Sequence, residues 1–227
     1  MSRPSYGGIC IDEFVVVHAA RLEAPVVPVP TFELGVGKVA ATAGLYSLLV
    51  GLEPRQPVRA VLLCGIAGAC PERHRSTRAP VRPGSVCVVG SDELADEGVA
   101  TPGGFLGAGA PVFGNGQRLT DTGPFPANPR IAQDAAQRLG VPIVRGATVS
   151  TCSGVDALSR SVHERCGADV ETMEGAAVAY VCRMREVPLL HVRAISNWTG
   201  DRPRGEWNLG AAVEVMQMAL ARLFADA

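Results

Sequence analysis

Two side chains stand where their type and setting could do chemistry. Glu174 lies in the run Glu171-Thr172-Met173-Glu174-Gly175-Ala176-Ala177, and Asn197 ends Arg193-Ala194-Ile195-Ser196-Asn197. A carboxylate accepts hydrogen bonds and protons, whereas a primary amide presents a donor and an acceptor side by side. Small residues at 175–177 let a helix approach a sheet closely, which puts Glu174 against the sheet instead of in solvent. A glutamate near a helix N-terminus is also favoured by the helix dipole alone, and this segment by itself leaves both readings open. Gly35-Val36-Gly37-Lys38 and Gly65-Ile66-Ala67-Gly68 match neither the GxxxxGK[ST] phosphate loop nor the GxGxxG dinucleotide fingerprint. Each reads equally as a sharp connection, the second as a tight turn after a strand.

Elements must position these groups. Residues 14–17, 26–33, 60–64, 86–89 and 143–150 form short apolar or β-branched runs that predict strands, and another strand falls within 187–196. Residues 39–52, 130–139, 169–185 and 207–224 predict helices, with Asn128 as a cap and Gly140 as a stop for the second. Residues 71–83 predict a loop. Residues 97–129 carry much Gly and Pro and little pattern, a stretch long enough to be partly ordered and functional or partly mobile. Residues 1–12 predict a loose leader. Strands alternating with helices indicate an α/β fold with helices on both faces. Ligands of such folds bind at the carboxyl ends of the strands, which selects residues 20–23, 65–69, 150–154 and 196–201 beside the Glu174 segment.

Composition narrows the function classes. The 227 residues are 47% hydrophobic and 19% charged with a formal net charge of −1. These numbers fit one domain, 1–227, and give no electrostatic case for nucleic acid or a membrane surface. Seven cysteines form no CxxC pair, and His18, His74, His163 and His191 are dispersed, so no metal site is expected and the thiols read as buried and reduced. No basic n-region with an apolar core opens the chain, and no apolar run reaches ~18 residues. A cytoplasmic protein is the expectation.

Several segments together resemble the purine nucleoside phosphorylase and nucleosidase superfamily. Met173-Glu174-Gly175-Ala176-Ala177 looks like its ribose motif, and Arg193-Ala194-Ile195-Ser196-Asn197 looks like its base-site strand end. The two glycine segments match in order, and the likeness runs from about residue 14 to the C-terminus. Asn197, Trp198-Thr199-Gly200-Asp201-Arg202, Trp207, Asp96-Glu97-Gly98-Val99 and Gly103-Gly104-Phe105 resemble the futalosine hydrolase subgroup, which serves an alternative menaquinone pathway.

The resemblance implies a three-layer α/β/α fold with a central twisted mixed sheet, no cofactor, a purine nucleoside as ligand, and a homodimer or higher homo-oligomer. It implies Glu23 as the base that orients a water, Glu174 as acceptor for the ribose 2′ and 3′ hydroxyls, and Met173 against the ribose face. Ile66, Ala67, Gly68, Cys152 and Ser153 complete the implied binding set. Relatives specific for adenine carry Asp where Asn197 stands, to protonate N7. An amide suits the O6, N7 and N1–H of hypoxanthine better. Phosphorylases of the superfamily bind phosphate through an Arg and a Ser, and the corresponding positions here are Leu63 and Ile66, so hydrolysis is expected, with Arg21 near Glu23 as the cation that leaves phosphorolysis open. For the carboxylate of futalosine's benzoate tail the candidates are Arg21, Arg202 and Arg204, with an exposed surface position as the alternative reading of each. Two alternatives stand beside this: a methylthioadenosine, adenosylhomocysteine or aminofutalosine nucleosidase, and a non-catalytic nucleoside-binding protein of the same fold.

Overall fold

The computed structural model describes residues 3–53, 58–72, 77–109, 120–201 and 207–226. Its chain opens with a short antiparallel hairpin, β1 (Ser5–Tyr6) and β2 (Ile9–Cys10). There follow β3 (Phe14–His18), a 3-10 turn Arg21–Glu23, β4 (Thr31–Glu33), α1 (Lys38–Leu52), β5 (Ala60–Ala69) and β6 (Val86–Leu94). A hairpin of β7 (Gly98–Thr101) and β8 (Gly104–Gly107) precedes β9 (Phe125–Pro126), α2 (Pro129–Leu139) and β10 (Ile143–Thr148). The chain ends through α3 (Asp156–Cys166), β11 (Val170–Thr172), α4 (Gly175–Met184), β12 (Leu189–Trp198) and α5 (Leu209–Phe224).

Eight strands form one sheet in the order β11-β10-β6-β12-β5-β3-β4, with β9 added beside β6. Most neighbours are parallel, but β12 and β6 run antiparallel, so the sheet is mixed. At one end it curls round until β11 also pairs with the last residues of β5. One face buries Val16, Leu62, Val88 and Val192 against Ile131 of α2 and Met216 and Leu220 of α5. The other buries Val17, Val61 and Leu63 against Leu45 and Leu49 of α1 and Val178 and Val181 of α4. The three-layer α/β/α architecture with a central mixed sheet is therefore as expected, and it leaves the strands' carboxyl ends open between the helices.

The differences from the expected elements have physical causes. Instead of a strand over 26–33, only Thr31–Glu33 pairs, because Pro25, Pro28 and Pro30 lack the amide donors a ladder needs. The expected turn at 65–68 is a continuation of β5, its glycines making room for side chains. The expected helix over 169–185 begins only at Gly175. Ahead of it, Val170–Thr172 are claimed by β10 on one side and β5 on the other, a non-local pairing that overrides helical propensity. Helix α3 was not expected, since its inner face is Ser159, Val162 and Cys166 and carries little apolar signal. The leader is not loose. Tyr6 and Ile11 are buried, and the Tyr6 hydroxyl donates to the Leu223 carbonyl at 2.8 Å. Within 97–129, the described residues hold the β7–β8 hairpin and β9, and residues 110–119 lie outside the description.

Candidate active site

A cavity of about 260 Å³ opens at the carboxyl ends of β3, β5, β11 and β12. Glu23, Glu174 and Asn197 line it, as do Met173, Ile66, Ala67, Gly68 and Cys152. Residues from five separate stretches of sequence thus converge on one wall because the sheet brings their strand ends together.

Glu174 is 4% exposed and occupies the residue before α4. Its side chain does not cap that helix. The capping is done by threonine hydroxyls: the Gly175 N–H donates to Thr172 Oγ1 at 3.2 Å and the Ala176 N–H to Thr148 Oγ1 at 2.8 Å. The carboxylate of Glu174 is thereby left for the cavity, which separates the two readings of this residue. The Gly37 N–H donates to its Oε1 at 2.9 Å, so the loop before α1 helps to fix this side chain. The Arg193 guanidinium stands 3.5 Å from the other oxygen.

Arg193 is 1% exposed and holds a short chain of groups behind the wall. Its Nη1 donates to the Ile66 carbonyl at 3.1 Å and its Nε to His191 Nε2 at 2.7 Å. A guanidinium can only donate, so His191 accepts through Nε2 and carries its proton on Nδ1. Burial, and secondarily the neighbouring guanidinium, hold the His191 pKa well below its usual range, so the imidazole is neutral. Nδ1 faces Asp92 at 4.0 Å. Asp92 accepts from the hydroxyls of Thr148 at 2.9 Å and Thr172 at 3.3 Å, and burial pushes its carboxyl up to about 7. The sequence reading passed over both Asp92 and Arg193. A histidine and an arginine two apart within the apolar run Leu189–Ile195 were the available signal for Arg193.

Glu23 sits in the 3-10 turn after β3, 6% exposed. Its two oxygens accept from the Ala20 N–H at 3.2 Å and the Ile66 N–H at 2.8 Å. Gly65 lies between this carboxylate and Arg193. A Cβ there would strike the guanidinium and stand 2.8 Å from Glu23 Oε1, which is why the strand carries glycine at this point. Asn197 follows a bulge in β12, where the register shifts past Ser196 so that Asn197 pairs with Gly68. Bulges re-aim side chains in this way. The Asn197 Nδ2 donates to the Trp198 carbonyl at 2.7 Å, which fixes the amide's orientation, and Oδ1 accepts from the Ser196 hydroxyl at 2.7 Å.

Ser153 does not line the cavity, contrary to expectation. It is fully buried behind the wall, where its N–H donates to Glu171 Oε1 at 2.7 Å and its hydroxyl donates to Glu171 Oε2. Glu171 itself, not singled out from the sequence, is on the wall. Among the described residues no lysine or arginine lines the cavity. Leu63 is buried in the core beneath α1 and α4, and Ile66 presents a hydrocarbon surface. Arg21 is exposed and off the cavity wall, while Arg202 and Arg204 lie outside the described residues. Such a site offers fixed hydrogen-bond acceptors and an amide within apolar walls, a setting for an uncharged polar ring system.

Comparison with known proteins agrees in kind. The model of the phosphorylase superfamily matches residues 16–225. A futalosine hydrolase of Thermus thermophilus is 31% identical over 86% of this chain and 80% of its own length. One from Streptomyces coelicolor is 34% identical over 84% of this chain and 75% of its own length. The solved futalosine hydrolase of Helicobacter pylori superimposes with a TM-score of 0.72 at 16% identity, covering 92% of this chain and 96% of that one, and so shares the fold. With the match spanning nearly the whole chain, this protein belongs to the phosphorylase superfamily and, within it, to the futalosine hydrolase family.

Proposed function

We propose that this chain is a nucleosidase that hydrolyses the N-glycosidic bond of futalosine and releases hypoxanthine, with residues 1–227 acting as one catalytic domain. The observation that carries the reading is one cavity whose wall holds the fixed carboxylates of Glu23 and Glu174 together with the amide of Asn197, and has no cationic side chain among its described residues. Phosphorolysis would need a cation to hold its anionic nucleophile, whereas water needs an acceptor.

The ribose 2′ and 3′ hydroxyls donate to Glu174, whose position is set by Gly37 and Arg193. Charge-assisted bonds of this kind are stronger than neutral ones, and they hold the sugar as C1′ gains oxocarbenium character. Met173 packs against the ribose face. Glu23 accepts a proton from a water as that water's oxygen bonds to C1′ and the C1′–N9 pair departs with the base. Asn197 donates to the acceptor edge of the leaving purine. An amide donates a hydrogen bond there but transfers no proton, so the leaving group is stabilised electrostatically and takes its proton from solvent.

The cytoplasm is the proposed location, and among the described residues no helix is long and apolar enough to cross a membrane. A homodimer or larger homo-oligomer is part of the reading. Its support is the exposed apolar set Val39, Tyr46 and Val50 on α1 with Tyr180 and Met184 on α4. The deciding experiment incubates the purified protein with futalosine, inosine and methylthioadenosine, with and without phosphate, and follows the freed base. Hypoxanthine released from futalosine without phosphate is the expected result. Release that requires phosphate, or no release at all, rejects the proposal.

A further inference from the structure

Beside the cavity, buried side chains from β6, β10 and β11 close a ring of oxygens. Asp92 Oδ1 stands 2.9 Å from Thr148 Oγ1, and Thr172 Oγ1 stands 3.0 Å from Thr148 Oγ1 and 3.3 Å from Asp92 Oδ2. The two threonine oxygens also take the first amides of α4, Gly175 on Thr172 and Ala176 on Thr148. Glu174 immediately precedes those amides, so the ring holds the backbone from which its side chain departs. The surroundings are cut to fit. A Cβ at Gly175 would strike Asp92 Oδ2, and one at Gly146 on β10 would stand 2.5 Å from the same atom. Two glycines, one from a helix and one from a strand, thus make room for a carboxyl that lies off the cavity wall.

Counting protons shows what the ring requires. Each threonine brings one hydroxyl proton, and an ionised carboxylate brings none. With Asp92 ionised, both hydroxyls donate to it, and the 3.0 Å contact between the threonines holds two oxygens with no proton between them. A protonated carboxyl supplies the missing proton and reverses one bond. Oδ2 faces the Nδ1–H of His191 at 4.0 Å and so is the accepting oxygen, which puts the proton on Oδ1. Then Oδ1 donates to Thr148, Thr148 donates to Thr172, and Thr172 donates to Oδ2. Each threonine oxygen donates once and accepts twice, its full capacity. Bonds that run head to tail in this way also polarise one another. Burial favours the same neutral form, with a pKa of about 7.

We infer that Asp92, Thr148 and Thr172 are positioning residues for Glu174, their protonated ring fixing the first turn of α4 and so the carboxylate that takes the ribose hydroxyls. The inference rests on the sugar-binding role given to Glu174 above and goes beyond it. Ionisation of Asp92 breaks the link between the threonines and turns both hydroxyls towards the carboxylate, which loosens the cap of α4. The titratable and charged groups around Asp92 are His191 and Arg193 on β12, Cys166 on α3 and, beyond Arg193, Glu174. Glu93, the next residue of β6, faces Cys166. Above about pH 6, His191 stays neutral and Arg193 charged, and burial keeps the Cys166 thiol protonated.

The test compares the full chain with its Asp92→Asn and Thr148→Val variants between about pH 6 and 9. Asparagine copies the protonated carboxyl, its amide donating to Thr148 and its carbonyl accepting from Thr172, but it has no charge to gain. Protection of the Gly175 and Ala176 amides against hydrogen exchange is read by NMR relative to the intrinsic rate. It should fall by about 10-fold or more across this window in the parent and stay level in Asp92→Asn. In the hypoxanthine-release assay, kcat/KM of Asp92→Asn relative to the parent should rise by about 10-fold or more over the same window. Titration of the substrate is common to both proteins and cancels in that ratio. Thr148→Val keeps the shape without the hydroxyl and should lower kcat/KM by about 10-fold or more. Level protection in the parent overturns the inference and needs no variant to fold. A variant-to-parent ratio that ignores pH, or parental kcat/KM in Thr148→Val, overturns it too. Amide protection is read without turnover. A pH-dependent cap in a protein that releases no base leaves Asp92 positioning Glu174 and removes the hydrolase, and turnover with level protection does the reverse.

Discussion

The Asp92 carboxyl should make the folding stability of this protein fall as the pH rises from acid to neutral. Asp92 is 1% exposed, and burial raises its pKa from 3.8 to about 7 against the smaller opposing effects of Thr148, Arg193 and Thr172. Because the folded pKa lies above the unfolded one, the unfolded chain gives up this proton first. The contribution is complete below about 3.8, is lost as pH climbs towards about 7, and stays constant beyond. A shift of about three units at 1.36 kcal/mol each amounts to about 4 kcal/mol. Asp92→Asn abolishes the titration while keeping a carbonyl oxygen for one threonine hydroxyl. Urea unfolding of both proteins at about pH 4, 6 and 8 gives the two stabilities, whose difference isolates this group. His191, with its lowered pKa, loses stability in the opposite direction as pH falls, but it is present in both proteins and cancels in the subtraction. The stability of the Asn variant relative to the parent should rise by about 4 kcal/mol between acid and alkaline pH. A difference that stays level across that window would falsify the picture of Asp92 as a carboxyl kept protonated by burial.

Three other substitutions probe the remaining links. Glu174→Gln keeps an acceptor for the Gly37 N–H but leaves the buried Arg193 without its counter-charge. We expect a stability loss of about 3 kcal/mol in thermal or urea unfolding and a fall in kcat/KM of about 100-fold or more in the hypoxanthine-release assay. An active variant with parental kinetics would remove Glu174 from the site. Gly65→Ala inserts a methyl between Arg193 and Glu23, and a displacement on the order of 1 Å of a reacting group costs about 100-fold in rate. The signature is a drop in kcat greater than any change in KM, measured by steady-state kinetics, and unchanged kcat would show that these two groups have room to spare. Tyr6→Ala removes a 1% exposed ring and its bond to the Leu223 carbonyl. A loss of about 3–5 kcal/mol in unfolding free energy is expected, with kcat/KM unchanged at temperatures where the variant is folded, whereas a negligible loss would restore the view of residues 1–12 as a loose leader.

The sequence by itself determined the architecture and most of the wall of the cavity. Apolar runs such as residues 14–17 and 60–64 must be buried on both faces wherever they lie, so strands alternating with helices already specify a layered α/β fold. Asn128 before Pro129 and Gly140 after Leu139 announce a helix through local chemistry that needs no tertiary partner, and the bounds of α2 follow them closely. Glu23, Glu174, Met173 and Asn197 were legible because each stands where a strand or its continuation ends, and a parallel arrangement gathers those ends.

Only the tertiary structure decided what those residues do to one another. Whether Val170–Thr172 would be helix or strand depended on β10 and β5, neighbours tens of residues or more away in sequence. Gly65 and Gly68 read locally as a turn, yet they are extended, and their lack of a side chain is set by Arg193, Glu23, Thr199 and Asn197 from elsewhere in the chain. Ser153 reads as a ligand contact until it is seen behind the wall, bonded to the Glu171 carboxylate. Burial is likewise a property of the assembled layers. Asp92 in isolation is an ordinary acid, and it becomes a carboxyl titrating near neutrality only when the sheet and α4 close over it. Residue type and local spacing fix which chemistry is available; desolvation and non-local contact fix which of it is used.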